Sequence, residues 1–177
     1  MKNNPAKANY GTPGAGTVPH FTGVLLSQVA GVTLTHVAYK GGAPSVNDLL
    51  GGQIPLVVDT PLEVIEHHRA GKLRIVALTG EARSTSLPEV PTLKELGINM
   101  AADAYFAVYG PAGMSADVTT RISRAVADAL RQSDVSERIF NLGLAPAYGN
   151  GDELAATQAA HLKRWEAPIK ASGFTAE

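Results

Sequence analysis

Short apolar runs alternate with helix starts along most of this chain, and that alternation constrains the fold more than any other feature. Val32 to Val37, Ile54 to Val58, Arg74 to Thr79, Tyr105 to Tyr109 and Leu144 to Tyr148 read as strands. Pro55 is acceptable only near the start of its strand or at a sheet edge. The intervening segments carry helix signals. Pro19 to Ala30 is amphipathic, and Ser45 opens a short helix that Gly51-Gly52 ends. Thr60-Pro61-Leu62-Glu63 supplies an N-cap, a proline at the first helical position and an acidic third position for a helix that Gly71 stops. Thr92 and Glu95 repeat the capping-box logic ahead of Gly97. Ser115 or Asp117 starts a long helix whose apolar stripe is Val118, Ile122, Ala125, Val126, Ala129 and Leu130. A helix from about Asp134 to Leu142 follows. Asp152 opens a last one with Leu154, Gln158, Leu162, Trp165 and Ile169 on one side, which Pro168 should kink or end. Strands alternating with helices predict an α/β fold of βα units with a mostly parallel sheet. Ligands of such sheets bind beyond the C-terminal ends of the strands.

The stretch Tyr10-Gly11-Thr12-Pro13-Gly14-Ala15-Gly16-Thr17-Val18-Pro19-His20 stands just ahead of the first helix. Glycines let backbone N–H groups approach a ligand closely, and a helix N-terminus adds unpaired donors and partial positive charge. Together they suit a carboxylate or phosphate; a purely structural Gly/Pro turn is the other reading. Thr12 to Thr17, the loop Tyr39 to Ala43 and Asp59 all fall at strand C-terminal ends, and their convergence argues more strongly for a site than any one of them. His20 lies in the first helical turn at the mouth of that site, where it binds or caps. Asp59 has two readings: favouring the following helix N-terminus, or holding a ligand amine or a water.

Several chemistries fail on spacing. Gly14-Ala15-Gly16 begins a dinucleotide fingerprint, but its third glycine would fall at Pro19, and no acidic residue lies in Thr33 to Val37. The phosphate-loop and serine nucleophile-elbow patterns are absent. Glu63 and His67 share a helix face, yet the sequence lacks H-E-x-x-H, and a solvated charged face accounts for them. Lys40 reads as a loop lysine and Trp165 as core. No cofactor and no metal is implied. With 45% hydrophobic and 18% charged residues among 177 and a net charge of −1, a globular protein is expected, without a nucleic-acid partner or an anionic membrane surface. The lack of cysteine rules out thiolate chemistry and disulfides.

Taken in order, these segments resemble the periplasmic solute-binding receptors of tripartite tricarboxylate transporters, the Bug-type receptors. Asn9-Tyr10-Gly11-Thr12 through Gly16-Thr17-Val18-Pro19-His20 resembles that family's N-Y-G-S/T…G-S/T-x-x-H loop. Val37-Ala38-Tyr39-Lys40-Gly41 resembles V-P-Y-K-G with Ala38 in place of proline, Asp48 to Gln53 resembles D-L-L-G-G-Q, and Val58-Asp59 resembles F-D. Ala70-Gly71-Lys72-Leu73-Arg74, Leu87-Pro88-Glu89-Val90-Pro91-Thr92, Tyr105-Phe106, Pro111-Ala112-Gly113, Leu142-Gly143 and Arg164-Trp165 continue the pattern. The resemblance implies a two-lobed binding protein of the periplasmic-binding-protein type II kind. It captures a small carboxylate, without catalysis, for the membrane permease subunits of a transporter. The implied ligand set is Thr12, Gly14, Ala15, Gly16, Thr17, His20, Tyr39, Gly41, Asp59 and Tyr105, the last from the Tyr105-Phe106 segment.

Members of that family are longer at the N-terminus, where a signal peptide and much of the first lobe precede the part seen here. The resemblance assigns residues 1–102 to the second, ligand-binding lobe and residues 103–177 to a C-terminal segment returning to the first. Met1-Lys2-Asn3-Asn4-Pro5 lacks the apolar segment of a signal peptide, so the periplasmic location rests on the resemblance alone. The first strands of both lobes are expected to be absent, and exposed sheet edges would then favour a homodimer. A remnant without binding activity, an effector domain of a regulator and an enzyme on an anionic substrate are the alternative functions.

Overall fold

The computed structural model describes residues 8–175. Strand β1 (Asn9–Thr12) pairs in parallel with β2 (Thr35–Ala38), with Tyr10 opposite His36 and Thr12 opposite Ala38. On its other side β1 meets residues 56–58: the Gly11 amide donates to the Leu56 carbonyl at 2.9 Å, and the Val58 amide donates to the Gly11 carbonyl at 2.9 Å. β1 is therefore central, flanked by parallel neighbours, as a βα architecture requires. A second parallel contact joins Leu78 to Thr92, and the Ala102 amide extends it by donating to Thr79 at 2.7 Å.

Six helices complete the described residues: α1 (Val18–Ala30), α2 (Gly42–Leu50), α3 (Pro61–Arg69), α4 (Ala116–Arg131), α5 (Ser133–Asn141) and α6 (Gly151–Ser172). Thr17 caps α1, its hydroxyl accepting from the His20 amide, and Gly31 ends the helix in the left-handed conformation. α6 opens on a reciprocal capping box in which Asn150 and Glu153 each accept the other's backbone N–H.

The core has two parts. Phe21, Leu93, Met100, Ala102 and Trp165 form one cluster, packed by Val18, Leu25, Ile98, Ile169 and Phe174 among others. Ile65, Leu87 and Val90 form the other, beneath Ile75 and Leu78. Trp165 lies in the first cluster, as its sequence position predicts, and through it α6 packs on α1.

Other expectations need correction. The Asn9 to Thr12 segment, read as the start of a ligand loop, is itself a strand, and β2 begins at Thr35 rather than Val32. Residues 54–58 and 74–79 each form a single bridge instead of a full strand. Tyr105 to Tyr109 and Leu144 to Tyr148 are irregular and mostly exposed. A strand exists only where a neighbour accepts its ladder hydrogen bonds, and among the described residues these two runs have none. Thr92 to Gly97 forms turns, although Thr92 and Glu95 do exchange their capping bonds. α2 starts at Gly42, and Ser45 spends its hydroxyl on the Gly42 carbonyl within it. Thr60 occupies the N-cap position of α3 without a side-chain cap, and Asn150, not Asp152, caps α6. α6 continues through Pro168 to Ser172. The stripe on α4 stays largely in solvent, with Val118 at 41% and Ile122 at 43% exposure.

Candidate functional site

The C-terminal ends of β1, β2 and the segment at residues 56–58 converge on one edge of the fold, and each opens into a loop that precedes a helix. The first two loops are tied by backbone: Tyr39 N–H donates to Thr12 O at 3.0 Å and Gly41 N–H to Pro13 O at 2.8 Å. Gly41 has φ of +105°, a conformation that glycine adopts without a Cβ penalty. The third loop joins through Glu63, whose side chain lies over Gly42 so closely that a Cβ there would sit 2.6 Å from its carboxyl carbon.

The geometry of the first loop turns on one peptide plane. The Gly14 carbonyl accepts from Thr12 Oγ1 at 3.2 Å and from Thr17 Oγ1 at 2.7 Å. A trans peptide points its C=O and the following N–H in opposite directions. Two hydroxyls drawing the Gly14 carbonyl inward therefore turn the Ala15 N–H outward, and Ala15 is the exposed crest of the loop. Just behind it begins α1, with the partial positive charge of a helix N-terminus.

Behind the loop lies a buried aromatic stack. The His20 and His36 rings are stacked with centroids 3.9 Å apart, and Tyr10 packs on His36 at 5.1 Å. Gly16 N–H donates to His20 Nδ1 at 3.2 Å, and Thr12 Oγ1 lies 2.6 Å from His36 Nε2. Burial lowers the pKa of His20; burial and then the neighbouring His20 bring His36 down to about 4. Both rings are therefore neutral at neutral pH, and an accepting Nδ1 places the His20 proton on Nε2.

This arrangement divides the expected ligand set. Gly14, Ala15, Gly16, Thr17, Tyr39 and Gly41 are brought together at the loops. Thr12 is fully buried and His20 nearly so, and the Gly16 amide already has an acceptor in His20. Their work here is to shape the loop. The Tyr39 hydroxyl donates to Asp48 Oδ2 at 2.7 Å, turning along α2. The Tyr105 ring packs edge-on against His161 of α6 at 5.0 Å, on the C-terminal segment. Two participants were not among the sequence candidates, His36 and Phe174. His36 is a polar residue in an apolar strand run, which is a usable signal; Phe174 reaches the loop only through the fold.

Asp59 follows the third strand end. Its Oδ1 accepts from the Thr60 amide at 2.7 Å, while its Oδ2 is buried with no donor among the described residues. Burial raises its pKa to about 6, partly opposed by the Thr60 bond and helped by the charge of Glu63. The unfolded group titrates near 3.8, so between that value and about 6 the folded state holds the extra proton. Stability then falls as pH rises through this window, and the full cost is present above it. Relative to the wild type, Asp59→Asn is expected to gain stability from about pH 4 to about pH 7, measured as the difference in urea midpoints. Midpoint profiles that run parallel would rule out a raised Asp59 pKa.

The model of the tripartite tricarboxylate transporter family receptor matches residues 1–174. The chain belongs to this receptor family. Among relatives of this receptor-family chain, the "UPF0065 protein in gbd 5'region" of Cupriavidus necator is 35% identical over 173 residues, covering 98% of this chain and 53% of the relative. Protein BugT of Bordetella pertussis is 30% identical, covering 97% of this chain and 53% of its own length. In solved structures, R. palustris Rpa4515 with adipate superposes with a TM-score of 0.90 at 28% identity, over 97% of this chain and 57% of that one. MatC (Rpa3494) from Rhodopseudomonas palustris with bound malate gives 0.80 at 27% identity, over 91% of this chain and 56% of that one. The receptor-family chain thus spans about half the length of each of these relatives. Its α/β fold is that of these binding proteins.

Proposed function

We propose that this chain is the ligand-binding part of a receptor that captures a small carboxylate for a tripartite tricarboxylate transporter. The observation that carries this reading is the pair of threonine hydroxyls on the Gly14 carbonyl just ahead of α1, an arrangement that turns the Ala15 N–H outward. A carboxylate oxygen there accepts from Ala15 N–H, and the Gly14 N–H lies in the same loop. Charge-assisted bonds of this kind contribute about 1.5–3 kcal/mol each. The loop at Tyr39 to Ala43 forms the adjacent wall, and the half-buried Asp59 either accepts from a ligand amine or disfavours a second carboxylate beside it. Thr12, Gly16, Thr17 and His20 hold the loop from behind. No covalent step is required, so the reading is of a binding protein and not an enzyme. The adipate and malate bound by two structural relatives support a short dicarboxylate as ligand.

The proposed partners are the permease subunits of the transporter and the proposed location is the periplasm, both by membership of the family. Among the described residues no helix is long and apolar enough to cross a membrane. The division near residue 102, with residues 103–177 returning to the first lobe, is part of this proposal. Ala102 is buried and the residues that follow are exposed, yet Trp165 to Phe174 return to the core built by the first part. β2 has a strand neighbour on one side only among the described residues, which leaves an edge for self-association.

The test is thermal stability of the purified chain against adipate, malate, citrate, aspartate, glutamate, nicotinate and terephthalate. A ligand at about 100 times its dissociation constant is expected to add about 2.7 kcal/mol. Thr17→Ala, which removes the shorter of the two hydroxyl bonds on the Gly14 carbonyl, is expected to reduce that gain. A gain unchanged in Thr17→Ala would place the ligand elsewhere, and no gain with any compound would count against binding by this chain.

A further inference from the structure

Phe174 lies in the last described turn of the chain, after α6 has ended at Gly173 in the left-handed conformation. Its ring packs on the loop far away in sequence. A Cβ built on Gly16 would sit 2.5 Å from Phe174 Cζ and 2.9 Å from Cε1. The same ring meets His20 edge-on at 6.2 Å and Phe21 at 5.9 Å. Gly16 has φ of +75°, so it is glycine for two reasons: its conformation and the ring against its Cα. The Gly16 amide is also held by His20 Nδ1. The ring position is fixed in turn by the Phe174 amide donating to Ser172 Oγ at 3.1 Å, and by Trp165 and Ile169 anchoring α6 to α1.

We propose that Phe174 is a positioning residue: its ring and the His20 bond together hold Gly16, and so steady the loop whose Ala15 N–H the two threonine hydroxyls turn outward. The C-terminal segment thereby controls the loop that the proposed function uses, and the inference rests on that reading for its consequence in binding. Loss of the ring leaves Gly16, with its broad conformational freedom, restrained only by the His20 bond and by the Thr17 hydroxyl that closes the loop on the Gly14 carbonyl. The crest of the loop then samples orientations in which Ala15 N–H turns away from a ligand.

Amide hydrogen exchange of the whole chain, read by NMR without ligand, tests this directly. In Phe174→Ala the Gly16 amide is expected to exchange at least tenfold faster, while the Leu25 and Leu26 amides inside α1 keep their rates. Phe174→Leu, which still fills the space over Gly16, is expected to recover most of the protection. An unchanged Gly16 rate in Phe174→Ala overturns the proposal, as does equal acceleration at Leu25 and Leu26 in both variants, which would mean general destabilisation. Adipate titration of the same samples separates the two readings. Loop amides that do not respond to adipate in the wild type count against binding at this loop and leave the exchange result to decide the positioning role. If adipate binds the wild type, a tenfold weaker Kd is expected in Phe174→Ala, and an unchanged Kd overturns control of the loop by Phe174.

Discussion

Trp165→Ala is expected to destabilise the chain by about 3–5 kcal/mol, the range for removing a large aromatic side chain from a core. Trp165 is 5% exposed and packs among Phe21, Leu93, Met100 and Ala102, so it joins a helix late in the chain to residues from α1 and from the segment around residue 100. Ile169 and Phe174 pack against the same cluster, and the ion pairs of α6 add little. Arg164 pairs with Asp103 and Lys170 with Glu166 on the exposed surface, and pairs of that kind contribute about 0–1 kcal/mol. Trp165→Phe is expected to cost much less, for a specific reason: the indole Nε1 is buried with no acceptor among the described residues, so phenylalanine loses area but no hydrogen bond. Because Trp165 is the single tryptophan, urea unfolding is followed by far-UV circular dichroism in all three proteins. A cost below about 1 kcal/mol for Trp165→Ala would show that α6 is held by something else.

Gly23→Val is the second large effect, expected at about 3 kcal/mol, the upper end of the overpacking range. A Cβ on Gly23 would clash with the edge of the Tyr10 ring at Cζ and lie 2.7 Å from its hydroxyl oxygen. Tyr10 cannot easily retreat. It is 1% exposed on the central strand, stacks on His36, and donates its hydroxyl to the His20 carbonyl at 3.1 Å. Burial pushes its pKa up to about 12, so the hydroxyl stays a donor throughout the ordinary pH range. Replacing a helical glycine gains about 1 kcal/mol in propensity, which the clash outweighs. The strain separates α1 from β1 and carries Thr17 and His20 with it, so the loop should loosen together with the fold. Urea midpoints of Gly23→Ala and Gly23→Val should fall in that order below the wild type. A Gly23→Ala protein more stable than the wild type would mean that propensity wins and that Tyr10 has room to move.

The difference between these two sites and the rest of the fold explains what was readable in advance. Pro61 at the head of α3, the left-handed Gly71 just past its end, Gly51 after α2 and Ser115 as cap of α4 follow from residues within a few positions of each other. Hydroxyl caps, fixed proline torsions and left-handed glycines are local chemistry, and the sequence carries them in full. Trp165 in the core was also legible, because its helical stripe is periodic. The same periodicity failed on α4, where Val118 and Ile122 remain in solvent. An apolar stripe specifies that a face can be buried, but only a partner determines whether it is.

The loop makes the same distinction at the scale of a site. Its glycines and threonines, and its place before a helix, marked it from the sequence as suited to an anion. Which groups remain free to meet one was decided by contacts across the fold. Thr12 and Thr17 turned inward to one carbonyl, His20 took the Gly16 amide, and the Tyr39 hydroxyl went to Asp48. His36 and Phe174 reached the loop from distant positions in the chain. Tyr105 to Tyr109 and Leu144 to Tyr148 have the composition of strands and lack the neighbours that would make them so. By itself the sequence determined the glycine stops, the proline helix start, the βα order around the loop and the family resemblance, all of which rest on near neighbours and ordered motifs. Tertiary structure decided strand pairing, burial and the direction of each polar group, because a hydrogen bond or a packed face needs a second surface that no local pattern contains.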